Sequence, residues 1–242
     1  MRIPVIRGLI ERRILANYRI DAEVARQVVP APFRPKLIHG FAIGGICLIR
    51  LSNVRPAMLP VPVGISSENG AHRFAVEWET PSGLQTGVYI PRRDTSSFLN
   101  AAVGGRLFPG VHHRAKFGVV ETAEQLTVGF RSEDGSTSVE VAARVKRELP
   151  SGSVFRTLAQ ASAFFEAGSL GYSATASPKV FDGLELRTQR WAVEPLEVVD
   201  VKSSFFDDVS RFPVGSINFD CALLMRDVPH EWHGRGELRE SA

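Results

Sequence analysis

The stretch His72-Arg73-Phe74-Ala75-Val76-Glu77-Trp78-Glu79 decides the fold class. His72, Phe74, Val76 and Trp78 alternate with Arg73, Glu77 and Glu79, the period of two that a half-buried β-strand requires. The same period recurs on either side. Ile14, Ala16, Tyr18 and Ile20 alternate with Arg13, Asn17 and Arg19; Val139, Val141, Ala143 and Val145 alternate with Ser138, Glu140 and Arg144. Further strands are expected over 41–51, 84–90, 112–121, 125–131, 184–193, 196–206 and 216–226. Glu133-Asp134-Gly135 reads as a hairpin turn between two of them.

Three short helices interrupt the strands. Asp21 is expected to cap 22–29, which Pro30 stops. Asp94 or Thr95 caps a second helix ending near Gly104-Gly105, and a third runs over 158–167 to Gly168. Many strands and few helices predict a mainly β (α+β) chain whose antiparallel sheet closes on itself, because closure removes exposed edges. The interior of such a barrel is filled by side chains or holds one small ligand. No repeat or linker divides the chain; Pro150-Ser151-Gly152-Ser153 is the best seam, and strands resume after it, so one domain over 1–242 is expected.

Composition narrows the function classes. The 242 residues are 44% hydrophobic and 23% charged, an ordinary globular balance that excludes disorder and coiled coil. The 29 basic residues exceed the 26 acidic ones by three and are dispersed, so neither a basic stripe nor a stacking platform for nucleic acid is visible. Five of the cations are lysines: Lys36, Lys116, Lys146, Lys179 and Lys202. Amine chemistry therefore has few candidates. Cys47 and Cys221 lie far apart inside apolar runs and read as buried free thiols. With arginines breaking every apolar stretch at the N-terminus, a cytoplasmic protein with no membrane contact is expected.

The densest polar cluster is His112-His113-Arg114-Ala115-Lys116. On a strand, His112, Arg114 and Lys116 share one face, and His113, Ala115, Phe117 and Val119 the other. Arg114 beside Lys116 is either a device that lowers the lysine pKa or a solvated outer face. His113 is either a hydrogen-bonded core histidine or an acid/base group. Ser66-Ser67-Glu68-Asn69-Gly70 leads to His72 and Arg73, and offers a carboxylate beside amide and guanidinium groups; a turn is the competing reading. His230-Glu231-Trp232-His233 lacks the four-residue histidine spacing of a helical zinc site, so no metal is expected. No phosphate-cradling glycine loop or serine-nucleophile elbow is present, and no cofactor is expected.

Gly87-Val88-Tyr89-Ile90, the helix after Asp94, Gly105-Arg106 and His112-His113-Arg114-Ala115-Lys116-Phe117 together resemble the acetoacetate decarboxylase-like superfamily. The chain is most similar to its uncharacterised branch, a conserved domain of unknown function. That branch has a glutamate-asparagine-x-x-x-arginine strand, here Glu68, Asn69 and Arg73. The likeness extends over residues 12–230, through Phe164-Phe165-Glu166-Ala167-Gly168, Gly171-Tyr172-Ser173, Gly183-Leu184-Glu185-Leu186 and Ser203-Ser204-Phe205-Phe206. It implies a cone-like antiparallel barrel around a small-molecule cavity, flanked by helices and often oligomeric. In acetoacetate decarboxylases a Gly-Arg segment leads to two adjacent lysines, the first forming an imine with substrate. Counted from Gly105-Arg106, that pair falls on His113 and Arg114, so the imine-forming lysine is missing; the catalytic glutamate of the family falls on Glu68.

Two functions follow. One is an enzyme acting on a small carbonyl or keto-acid compound without the lysine pair. In it His113 is acid/base, Glu68 its complementary carboxylate, and Lys116 a displaced amine. Arg73, Arg114, Asn69 and His112 bind the substrate. The other is a non-catalytic binder of a hydrophobic acid or acyl compound, suggested by the 15 phenylalanines and the missing lysines. In both the partner is a small carbonyl or carboxylate molecule, and a homo-oligomer is expected.

Overall fold

The computed structural model describes residues 4–58, 64–103 and 109–240. Gly105-Arg106 and the expected helix end at Gly104-Gly105 lie outside them. In chain order the elements are β1 (Ile6–Asp21), α1 (Ala22–Val28), β2 (Arg34–Pro35), β3 (Leu37–Ile38), β4 (Phe41–Pro56), β5 (Ile65–Thr80) and β6 (Gly83–Thr95). There follow α2 (Phe98–Val103), β7 (His112–Glu121), β8 (Gln125–Ser132), β9 (Ser138–Val145), α3 (Leu158–Glu166), β10 (Leu170–Ala174), β11 (Val180–Thr188), β12 (Glu194–Ser203) and β13 (Ile217–Arg239).

Local chemistry accounts for the boundaries. The Asp21 carboxylate accepts from the Glu23 amide and starts α1, as its position predicts, and Thr157 Oγ1 does the same for α3 through the Gln160 amide. At α2 the expectation is corrected: Ser97 Oγ accepts the Asn100 amide, and the Asp94 carboxylate is engaged by Arg92 instead. The β8–β9 turn carries Gly135 at φ +71°, a conformation that only glycine adopts freely, and Asp134 Oδ1 accepts from Ser132 and Ser136 around it. Several strands depart from their expected limits. β4 and β6 run on to Pro56 and Thr95, β5 takes in 66–70 where a turn is the competing reading, β11 and β12 begin and end earlier, and β13 runs on past Arg226 to Arg239 through Pro229. The β13 extension is held by pairing to β1 on one edge and β11 on the other.

The strands form one 13-stranded sheet that closes twice. One circuit runs β6-β7-β8-β9-β12-β13-β1-β4-β5 and back to β6; the other runs β6-β10-β11-β13-β1-β4-β5 and back to β6. Closure is as expected, but the sheet is mixed: β6 pairs in parallel with both β7 and β10. Parallel neighbours need crossovers, which the segments carrying α2 and α3 supply.

Strands shared by both circuits bury both of their faces. On one face Ile14, Phe74, Val76, Val128, Phe130, Val141, Leu196 and Leu224 fill the first circuit with side chains. On the other, Leu15, Cys47, Ala71, Ala75, Ile90 and Leu223 meet Ala161 and Phe165 of α3. Half-buried strands were the expectation from alternation. Instead the polar alternates Asn17 and Arg73 are themselves buried, at 0% and 3% exposure. No helix among the described residues is long and apolar enough to cross a membrane.

Candidate functional site

The second interior is not filled. A cavity of about 130 Å³ lies there, walled by Cys47, Ile49 and Leu51 of β4, Ser67, Asn69, Ala71 and Arg73 of β5, and Leu184 and Leu186 of β11. Arg13 of β1, Arg93 and Asp94 of β6, Asn100 of α2, His112 of β7 and Ser169 complete its polar lining.

Strand geometry selects these residues. Residues 67, 69, 71 and 73 share one face of β5 by simple alternation. Arg93 arrives there by an irregularity: His72 pairs with Arg92 but Phe74 pairs with Tyr89, so β6 carries one extra residue. Such a bulge reverses the alternation, and Arg93 joins Val88 and Ile90 on the cavity face.

Three guanidinium groups enter this apolar space. Arg73 Nη2 donates to Asn17 Oδ1 at 2.5 Å, and its Cζ lies 5.0 Å from the Phe165 ring centre. Arg93 Nε donates to Ser173 Oγ at 2.8 Å. Arg13 Nε donates to Cys47 Sγ at 3.4 Å, with its Cζ 5.6 Å from the Trp191 ring centre. Burial pushes Arg73 and Arg93 down to about 10, which leaves both cationic at neutral pH. Among the described residues none of the three has a carboxylate partner. Asp94, the carboxylate in the lining, is held by Arg92 Nη2 at 2.9 Å.

His112 is the titratable imidazole of the cavity. Burial, then the charge of Arg93, push it down to about 3, so it is neutral. Its Nε2 lies 3.2 Å from the Pro109 carbonyl, which fixes the N–H there and the lone pair on Nδ1.

Of the residues singled out in the sequence, Asn69, Arg73 and His112 line the cavity together. The others lie outside it. Glu68, next to Asn69 on β5, points to the opposite face and accepts from Arg12 Nη2 at 2.5 Å; burial raises its pKa against the pull of Arg12. His113 places Nδ1 3.2 Å from Asp134 Oδ2 at the surface. Arg114 donates to the Ser96 carbonyl and faces Glu133 at 3.8 Å. Lys116 is exposed at the outer surface of β7. Among the described residues no lysine lines the cavity; Lys36 lies in an adjoining crevice under α3, with Nζ 4.9 Å from the Phe164 ring centre. Arg13, Arg93 and Asn100 escaped the sequence reading. Arg13 looked like the solvent-side alternate of β1, and a bulge cannot be read from period alone.

Residues 10–213 match the model of DUF2071, a family described as an uncharacterized conserved protein. A search of curated proteins gave no match. Among solved structures, the chain resembles acetoacetate decarboxylase from Legionella pneumophila, with 10% identity and a TM-score of 0.58, over 95% of this chain and 86% of that one. It resembles an acetoacetate decarboxylase-like enzyme from Sphingomonas wittichii RW1, with 12% identity and a TM-score of 0.57, over 100% and 94%. It also resembles the enduracididine biosynthesis enzyme MppR complexed with pyruvate, with 11% identity and a TM-score of 0.57, over 100% and 91%. At these identities the likeness is one of fold.

Proposed function

We propose that this chain, which belongs to the DUF2071 family, takes a small oxo acid into the cavity and acts on it by proton transfer rather than through an imine. The observation that carries this reading is the set of cavity guanidinium groups that have no carboxylate partner among the described residues, in a lining where those residues include no lysine. A buried cation without a counter-charge is costly, and an anionic ligand supplies one. Arg73 and Arg13 hold the ligand carboxylate, for which a planar fork is suited. Asn69 Nδ2, which donates to the Ser67 carbonyl at 3.3 Å and to Ser67 Oγ at 3.0 Å, exchanges the longer of these bonds for one to the ligand's carbonyl oxygen. His112 Nδ1, whose basicity burial and then the charge of Arg93 depress, is the proton acceptor. That the fold relative MppR is described with pyruvate supports the ligand class.

A second reading, a binder without turnover, is supported by one observation: the acid/base group of the cavity is a histidine at about 3, far from neutrality. Calorimetric titration with pyruvate and acetoacetate, followed by loss of ligand C–H signals in deuterated water, separates the two. Binding with exchange faster than in buffer fits proton transfer. Binding without exchange leaves the binder. No binding of any oxo acid, or a borohydride-reduced adduct on any lysine, overturns the proposal.

A further inference from the structure

Arg93 is left without a task by a ligand bearing one carboxylate. It lies opposite Ala71 on β5, two residues along from Arg73, so the two Cα atoms are roughly 8 Å apart by strand rise and spacing. Their side chains then diverge. Arg73 reaches across β4 to Asn17 on β1, whereas Arg93 reaches the other way to Ser173 on β10, which pairs with the far edge of β6. The two groups therefore take partners on opposite sides of the cavity wall, Arg73 toward β1 and Arg93 toward β10.

Neither guanidinium is paired with a carboxylate among the described residues; Asp94, which shares the lining beside Arg93, is engaged by Arg92. An anion on Arg73 leaves Arg93 bonded only to a serine hydroxyl. A phosphate, whose charges converge on one centre, satisfies one guanidinium and not the other. Resting on the oxo-acid reading above, we propose that the cavity selects short dicarboxylic acids, 2-oxo diacids in particular. Their second carboxylate is seated on Arg93, and Asn100 and the neutral His112 are polar groups of the same lining.

The test compares 2-oxoglutarate with 2-oxopentanoate, which have the same carbon count and differ in the terminal carboxylate. Calorimetric titration of the wild-type chain is expected to give at least tenfold tighter binding of the diacid. Arg93→Gln brings the ratio of the two affinities close to one, and Arg93→Lys, which keeps the charge but loses the fork, gives an intermediate ratio. Inorganic phosphate at the same concentration is expected not to displace the diacid. Equal affinities for the pair in the wild type, displacement by phosphate, or a ratio unmoved in both variants overturns the inference while the oxo-acid reading stands. If neither acid binds, that reading falls as well.

Discussion

Arg73 Nη2 donates to Asn17 Oδ1 across 2.5 Å, so the partner of a fully buried guanidinium is a neutral amide rather than a carboxylate. The amide satisfies geometry and leaves the charge available. Asn17 is itself fixed, its Nδ2 donating to the Leu15 and Cys221 carbonyls.

Asn17→Asp puts an internal anion at this position. We expect oxo-acid affinity to fall at least tenfold, because the ligand must displace a carboxylate already on Arg73. The melting temperature is expected to fall, because the second carboxylate oxygen takes the place of the Nδ2 that donates to the Leu15 and Cys221 carbonyls, against which the gain of a counter-ion for Arg73 works. Unchanged affinity by calorimetry would remove Arg73 as the anchor.

Gly45 lies between the same two residues, paired with Asn17 on one side and Arg73 on the other. A Cβ there meets the Ala16 carbonyl at 2.5 Å and Asn17 Oδ1 at 3.1 Å. Gly45→Ala should cost about 1–3 kcal/mol in urea unfolding, the range for forced overpacking, and should weaken ligand binding by displacing Asn17. A variant as stable as the wild type contradicts the close approach.

Acid should unfold the protein early. Burial is the leading cause of depression in each of three histidines: His72 to about 3, His112 to about 3 and His230 to about 4, from an ordinary 6.5. Between these values and 6.5 the unfolded chain binds more protons than the folded one. Stability is thus complete above pH 6.5 and falls as pH drops through the window, by up to about 1.4 kcal/mol per unit for each histidine. Denaturant titrations at pH 7.5, 6 and 5 measure the slope, and His72→Phe should flatten it by about a third. A flat profile would show that these rings are solvated.

Lys116 is exposed and far from the cavity lining, so Lys116→Ala should change neither oxo-acid affinity nor stability by more than about 0.5 kcal/mol. A loss of binding greater than tenfold would bring the His112–Lys116 strand back into the site through its outer face.

Period-two alternation made the strands around Ile14, Phe74 and Val141 legible, and Glu133-Asp134-Gly135 marked its hairpin. The motifs from Glu68 to Phe206 pointed to the acetoacetate decarboxylase-like fold, which the structural likenesses bear out. The site was legible only in part, for two physical reasons. Alternation says which residues share a face but not whether the polar face meets water. Arg13 therefore looked solvated, although it borders a cavity. And a bulge leaves no trace in a hydrophobic pattern, so Arg93 had the wrong parity to be grouped with Ile90.

The twice-closed sheet gives β1, β4, β5 and β6 two constituencies. Odd residues from 67 to 73 on β5 answer to whatever occupies the cavity, while Phe74, Val76 and Trp78 answer to a packed core. A lineage can therefore rewrite one set of alternate letters to recognise a new molecule without touching the set that keeps the barrel shut. A single-residue insertion in such a strand does the opposite. It exchanges the two sets downstream, turning core positions into ligand positions at one stroke, and the extra residue in β6 has that geometry, with Arg93 on the face of Val88 and Ile90.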